Sequence, residues 1–350
     1  METEKPTIIV TGVSGNLGQR LLPQLSDYAV VGIDVTPPTH SPVDRFVPID
    51  LGTEESAREL LLLMRELQPA SVIHLAFVVD PRRSGVVDVD RMWRINVAGT
   101  ARVMEAITEA NRNENTVRHF IFPSSVAAYG SDLAAPVAED APLNAHTLAY
   151  AIHKKESDIV VQQRAPALRG CSAFILRPHI FAGSTVENYM MGAFRGTAVG
   201  KNSTVSGTRR PSKRLPCLLP FGQKYLDNKI QFVDIDDMAR LIAWILRREP
   251  EAQRLTILNV AGRGEPLTFG QCLKLARERL LRVPGKWAMR SLLQLLWKWN
   301  LSSIPPDAVP YMTGQYIMNT DRLKKFLGDE YAQVIAKTNA EAFADSFPNN

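Results

Sequence analysis

Tyr150 and Lys154 stand four residues apart in a segment, Thr147 to Arg164, whose pattern reads as a helix. At that spacing the two side chains share one helix face. A free phenol has a pKa of about 10, too high for a base near neutrality. A neighbouring ammonium favours the phenolate and draws its pKa toward the range where general acid/base catalysis works. Ser125 follows the strand-like Phe122-Pro123-Ser124, where a hydroxyl could bond the same substrate oxygen. Together these types suit proton transfer at a secondary alcohol or ketone.

A second group suits a dinucleotide. Thr11-Gly12-Val13-Ser14-Gly15-Asn16-Leu17-Gly18 follows a first strand and opens a first helix. Glycines there let the backbone turn tightly and approach a pyrophosphate at the helix start. The spacing is G-x-x-G-x-x-G and departs from the general G-x-G-x-x-G fingerprint. Asp34 ends the second strand; a carboxylate there accepts from both adenosine ribose hydroxyls and repels a 2′-phosphate, which points to NAD over NADP. A turn-forming Asp before Pro37-Pro38 is the plainer alternative. Asp50-Leu51 ends the next strand, where a polar group can meet the adenine edge or simply precede a helix.

The elements that must position these residues alternate in type. Strands are expected at Thr7 to Val10, Ala29 to Ile33, Phe46 to Ile49 (short, a candidate edge), Ser71 to Leu75, His119 to Phe122 and Ser172 to Leu176. Helices are expected at Asn16 to Leu25, Glu54 to Leu67, Arg91 to Asn111 and Thr147 to Arg164, with Pro23 kinking or shortening the first. This rhythm predicts an α/β fold, a doubly wound parallel sheet covered on both faces. After Arg177 the rhythm breaks. A helix around Val186 to Phe194, strands at Ile230 to Val233 and Ile257 to Val260 flanking a helix from Asp236 to Arg247, and an amphipathic helical run from Thr268 to Lys298 remain. The expected division is 1–177 with 230–262 as the nucleotide-binding domain, and 178–229 with 263–350 as a smaller substrate domain.

The chain has 350 residues, 45% apolar and 22% charged, which excludes a disordered chain, a collagen-like repeat and a disulfide scaffold. No apolar run reaches the roughly 18 residues of a spanning helix, and the polar Met1 to Thr7 leaves no room for a signal peptide. The net charge of +5 gathers in Lys201 to Arg214 and Arg277 to Lys298. Without stacking aromatics interleaved, that is no nucleic-acid signature. Three widely spaced cysteines, Cys171, Cys217 and Cys272, suggest free thiols, no metal site and a cytoplasmic setting.

The motifs, taken in order, resemble the extended short-chain dehydrogenase/reductase family. They run from Thr11-Gly12 through Gly18, His74-Leu75-Ala76, Asn96-Val97-Ala98-Gly99-Thr100 and Ser124-Ser125-Val126-Ala127-Ala128-Tyr129-Gly130. Tyr150-x-x-x-Lys154, Leu176-Arg177-Pro178, Gln231 to Ala239 and Asn259-Val260-Ala261-Gly262 complete the series. The similarity is to the NAD-dependent epimerase/dehydratase branch, which includes UDP-galactose 4-epimerase and the 3β-hydroxysteroid dehydrogenase relatives. The resemblance implies Tyr150 as acid/base, Lys154 on the nicotinamide ribose and Ser125 as the catalytic hydroxyl. It implies that Asn16 and Leu17 meet the pyrophosphate through backbone groups and that Leu75, Ala76 and Phe77 line the cofactor groove. Asn96 would brace nearby strand ends, with Pro178 and His179 beside the carboxamide.

Two departures bear on substrate. Ile180 stands where the sugar-nucleotide epimerases usually carry an Asn, and Val126-Ala127 stands where the 4,6-dehydratases carry Asp-Glu. The expected activity is therefore an NAD-dependent oxidoreductase or epimerase moving a hydride at a secondary alcohol or ketone. The alternatives are a dehydrogenase or reductase of an apolar steroid- or lipid-like alcohol, and a non-catalytic NAD(P)-sensing module. A small-molecule substrate is the expected partner, in a homodimer, with no nucleic acid. His74 and His119 read as core histidines and His153 as a surface one. Asn188 reads equally as a substrate contact or a helix cap. Trp287, Trp297 and Trp299 with their leucines read as packing of the small domain ahead of a membrane-surface helix.

Overall fold

Val, Ile and Phe dominate the strands, and their alternation sends side chains to two different cores. The computed structural model describes residues 5–347, apart from 41, 113–115, 134, 197–215, 251–253, 300, 303 and 316. The basic stretch Lys201 to Arg214 lies outside the described residues. Six strands, β1 (Thr7–Thr11), β2 (Ala29–Asp34), β3 (Arg45–Pro48), β4 (Ser71–His74), β5 (His119–Pro123) and β6 (Ser172–Pro178), join Leu255–Val260 in one sheet. Their order is Leu255–Val260, β6, β5, β4, β1, β2, β3, and every neighbouring pair is parallel. β3 is the edge strand, as its short sequence suggested. Along β1, Ile8 and Val10 face one side and Ile9 the other, as a period of two requires.

On the Ile9 side, Leu60, Leu63 and Met64 of the Glu55–Leu67 helix pack with Val103, Met104 and Ile107 of Gly99–Ala110 and with Val161 of Ala149–Arg164. On the Ile8 side, Leu21 of the Asn16–Leu21 helix packs with Met238, Leu241, Ile242 and Ile245 of Ile235–Leu246. Leu323, Leu327, Val334 and Ile335 from the C-terminal tail join that same core. Helices thus cover both faces, the arrangement expected of a doubly wound sheet. Pro23 acts as anticipated: the first α-helix stops at Leu21 and continues as a 3₁₀ turn, Leu22–Gln24.

The long helix expected from Arg91 is three pieces: Val89–Trp93, a π-helical turn Arg94–Ala98, and Gly99–Ala110. The wide turn coincides with Asn96, whose side chain binds backbone outside the helix.

The smaller part is built from discontinuous segments. Ile180–Ala182 pairs with Phe232–Asp234, Lys229–Ile230 with Leu267–Thr268, and Cys217–Pro220 with Leu280–Val283. The last pair corrects the sequence reading, which made Thr268 to Lys298 one helical run. Helix Phe269–Ala276 ends at Arg277 in a left-handed conformation (φ 50°), the strand Leu280–Val283 follows, and Gly285–Lys298 is a second helix. Phe194, Phe232, Phe269 and Phe343 form its aromatic centre, with ring centroids 4.8–5.2 Å apart.

Candidate active site

The sheet order reverses between β1 and β4, and open α/β sheets bind ligands at that crevice. A cavity of about 1500 Å³ lies there, between the strand ends and the smaller part. It is lined by Gly12, Gly15, Asn16, Leu17, Gly18, Asp34, Asp50, Leu51, Leu75, Ala76, Phe77, Ser125, Tyr150, Lys154, Pro178 and His179. Of the catalytic and cofactor-binding residues expected from sequence, Asn96 alone stands back from it. Asn96 is fully buried; its Oδ1 accepts from Val78 N–H at 2.7 Å and its Nδ2 donates to Val78 O at 3.1 Å. It thereby fixes the segment that follows β4 and carries Phe77.

The glycines differ in why they are needed. Gly12 has φ 69°, and a Cβ on it would lie 2.4 Å from Ala76 N, so the loop and the end of β4 are pressed together. A Cβ on Gly18 would lie 2.4 Å from Val13 O. At Gly15 the nearest atom to such a Cβ is Gly12 O at 3.2 Å, so its missing side chain leaves the cleft side of the loop open. That opening is the cradle a pyrophosphate needs. Asp34 faces it: Oδ2 accepts from Ser14 N–H at 3.0 Å and Oδ1 from Val35 N–H at 2.8 Å. A carboxylate has about four lone-pair sites, so both oxygens can still accept from ribose hydroxyls. These residues fit NAD.

Asp50 is differently employed. It forms an ion pair with Arg91 and accepts from Gly52 N–H at 2.9 Å. Arg91, which also lines the cleft, was not found from sequence; its place at a helix start gave no signal. Asn16 reaches across the cleft, its Nδ2 donating to Thr185 O at 2.9 Å.

A chain of hydrogen bonds locks the switch point. His74 Nδ1 lies 2.7 Å from Thr11 Oγ1 and Nε2 lies 2.9 Å from Thr100 Oγ1, while Thr100 donates to Asn96 O at 2.6 Å. With Thr100 donating onward, His74 must donate from Nε2 and accept at Nδ1, the neutral tautomer. Burial, helped by the Lys154 charge, pushes His74 down to about 3, which agrees. His119 is likewise a core residue, pushed to about 4 chiefly by burial. His153 corrects the sequence reading. It is buried, with Nδ1 3.3 Å from Asn96 Nδ2, because its helix is packed on more than one side.

Ser125 caps the 3₁₀ turn Val126–Tyr129, its Oγ accepting from Ala127 N–H at 3.1 Å. Burial pushes the Tyr150 phenol up, and a hydrogen bond with Ser125 acts the other way. Lys154 does not perform the lowering expected of it here. Its Nζ donates to Pro123 O at 2.6 Å and lies 3.6 Å over the Phe77 ring centroid. Burial brings Lys154 down to about 7, with Asp158 pulling upward. Phe77 meets Tyr150 edge-on at 6.0 Å between centroids, so one aromatic ring touches both groups.

Behind the helix that carries Tyr150 and Lys154 lies a network the sequence reading missed. Arg177, 1% exposed, holds Asp158 through Nε at 2.8 Å and Nη2 at 3.0 Å. Its Nη1 donates to the Tyr129 hydroxyl at 2.7 Å and to Glu139 O at 2.8 Å. Tyr129 then donates to Asn259 Oδ1 at 2.8 Å. Arg177, Tyr129 and Asn259 all sit in motifs noted above; an arginine in an otherwise apolar strand was the available clue.

The far side of the cleft is apolar. Val126, Ala127, Leu148, Ile180, Met190, Ala308 and Met312 line it with Tyr189 and Tyr311. The Tyr311 hydroxyl donates to Ala127 O at 3.3 Å and burial pushes it up to about 12. Tyr189 donates to Val79 O at 3.4 Å. Asn188 caps the Tyr189–Arg195 helix, accepting from Met191 N–H at 2.9 Å, so the capping alternative describes it.

Residues 8–261 match the family model described as NAD dependent epimerase/dehydratase family. A curated relative, UDP-glucose 4-epimerase of Azospirillum brasilense, is 27% identical over 182 residues, 51% of this chain and 50% of that one. The chain thus matches about half the length of that relative. Among solved structures, UDP-glucose 4-epimerase of Thermus thermophilus with NAD superposes with TM-score 0.66 at 17% identity, covering 97% of both chains. MoeE5 with UDP-glucuronic acid and NAD gives TM-score 0.63, also 17% identical and covering 97% of both chains. The family match spans most of the chain, and the chain belongs to the NAD dependent epimerase/dehydratase family.

Proposed function

We propose that the protein binds NAD in the Gly12–Gly18 cradle and transfers hydride at a secondary alcohol or ketone held beside Tyr150. The observation that carries this reading is the meeting of Ser125, Tyr150 and Lys154 on one wall of the cleft, where Phe77 contacts both Tyr150 and Lys154. NAD supplies the hydride acceptor. Asp34 would hold the adenosine ribose and select against a 2′-phosphate. Tyr150 would take the hydroxyl proton as hydride leaves the same carbon, and Ser125 would steady the oxygen. Lys154, released from Pro123 O to the nicotinamide ribose, would place its charge near the phenol and favour its ionised form.

The apolar far wall, with Ile180 and Met190, favours a substrate whose carbinol has an apolar flank. The names of the relatives favour a second reading, a UDP-sugar epimerised by returning the hydride to the opposite face. One experiment covers both. The protein is incubated with NAD and a panel of apolar secondary alcohols and UDP-sugars, following reduced nicotinamide by absorbance and inverted sugar by NMR. Net NADH from the alcohols supports the first reading, and inverted sugar supports the second. No turnover of either class, with NAD binding intact, would leave the sensing module as the better description.

A further inference from the structure

We propose that the outer face of the Gly285–Lys298 helix docks in the plane of an anionic lipid surface. The helix splits its apolar residues between two faces. Met289 and Leu293 are buried, and Leu292 and Leu296 pack beside them on the small-lobe core. Trp287 is 80% exposed and Trp299, at the helix end, 64%. At about 100° per residue, these two and the exposed Leu295 span about 120° of arc, with Trp287 opposite the core and Trp299 beside the half-buried Leu292. Packing, the first expectation from sequence, therefore accounts for only half of this helix.

The chemistry of the face selects its occupant. The helix carries Lys286, Arg290 and Lys298 and no carboxylate. Arg290 finds a carboxylate in Asp307 at 2.7 Å. Tryptophans beside lysines are the composition of an interfacial helix, whose rings settle at headgroup depth while the ammonium groups meet lipid phosphate. A second copy meeting this face about a two-fold axis would set the same cations against each other. No described helix is long and apolar enough to cross a membrane, so the contact is in-plane.

The position of the face gives it a use. Arg82 lies 3.8 Å over the Trp297 ring and donates to Trp297 O at 2.6 Å. Arg82 belongs to the segment between Val79 and Val86, both of which line the cleft. The helix that carries the docking face is thus tied through Trp297 to the cleft rim, and a hydroxy compound dissolved in lipid would have a short path to Tyr150.

The test uses the full chain and vesicles, without substrate, so it stands or falls separately from the hydride-transfer reading. Wild type should co-sediment with phosphatidylcholine vesicles containing phosphatidylglycerol, and brominated acyl chains should quench its tryptophan emission. Pure phosphatidylcholine should hold it less, and high salt should weaken binding. W287S/W299S should lower vesicle affinity about tenfold or more, since burying a large apolar side chain is worth that much. K286E/K298E should lower it about fivefold per lysine removed. Both variants should keep the wild-type Tm and NAD affinity, because the substituted residues are exposed. No binding to anionic vesicles, or binding unchanged in W287S/W299S, overturns the proposal. So does a wild-type self-association that W287S/W299S dissolves, which would assign the face to a second copy.

Discussion

The two halves of the cleft hold their residues by different means. On the sheet side, Gly12, Asp34, Ser125 and Pro178 stand at or just past the ends of parallel strands whose register is set by a continuous hydrogen-bonded ladder. The helix behind them is held by the buried Arg177–Asp158 pair. On the proposed substrate side, Ile180, Tyr189, Met190 and Met312 come from a strand paired over only three residues and from two short helices, held by one side-chain cap and by packing. A cofactor common to a family is read by backbone geometry that the fold reproduces. A substrate particular to one member is read by side chains that short segments can exchange cheaply. Disturbing the first half should therefore cost more than disturbing the second.

The largest effect is expected at the reacting centre. Tyr150→Phe keeps the ring and its edge contact with Phe77 but removes the proton carrier, so turnover should fall about 10² to 10⁴-fold. NAD affinity by titration and Tm should stay near wild type; full turnover in this variant would exclude Tyr150 as the acid/base. Arg177→Leu should cost about 3–5 kcal/mol of stability, because it strands the Asp158 carboxylate in the interior. Denaturant unfolding measures that cost, and a loss near zero would mean the sheet side is not anchored by this pair.

Lys154 adds a pH signature to the same half. The folded chain releases the Lys154 proton near 7, while the unfolded chain keeps it to the ordinary 10.5. Between those values the unfolded state binds more protons, so this group makes stability rise with pH across that window. Below it the burial penalty is fully present. In Lys154→Met the rise should flatten, seen in denaturant midpoints taken from neutral to alkaline pH. Asp34→Ala should weaken NAD about tenfold, the worth of a lost hydrogen bond to a charged group, and narrow the preference over NADP. Tighter NADP binding by the wild type would reverse the assignment of Asp34. The smallest effect belongs to the substrate side: Asn188→Ala removes one helix cap and should cost about 1 kcal/mol. A much larger loss would show that the short segments there are as tightly coupled as the sheet.

The sequence was most legible where a local pattern coincides with a local cause. Pro23 ends its helix because a proline cannot complete the turn, and the Phe46 run forms an edge strand because it is short and ends at Pro48, which has no N–H for a further ladder bond. It was least legible where partners come from afar. Leu280–Val283 carries leucines that suit either period, and its pairing with Cys217–Pro220, some sixty residues earlier in the chain, makes it a strand. His153 read as a surface residue, but a helix packed on several sides buries more than one face. Lys154 was expected to act on Tyr150, yet a carbonyl and an aromatic ring supplied by other strands and loops hold its ammonium.

By itself the sequence determined the alternating strands and helices, the glycine turn before the first helix, the carboxylate ending β2 and the Tyr150–Lys154 face. Each of these follows from residue type and spacing within a few positions, where sterics and hydrogen bonding act directly. Only the tertiary structure decided that Arg177 reaches Asp158, that His74 is locked neutral between Thr11 and Thr100, and that Phe77 touches both Tyr150 and Lys154. It also decided that Trp287 stands exposed while Trp297 lies under Arg82. Burial, and with it every shifted pKa and every paired interior charge, is a property of the packed chain, set by segments that meet only when the sheet has closed its layers.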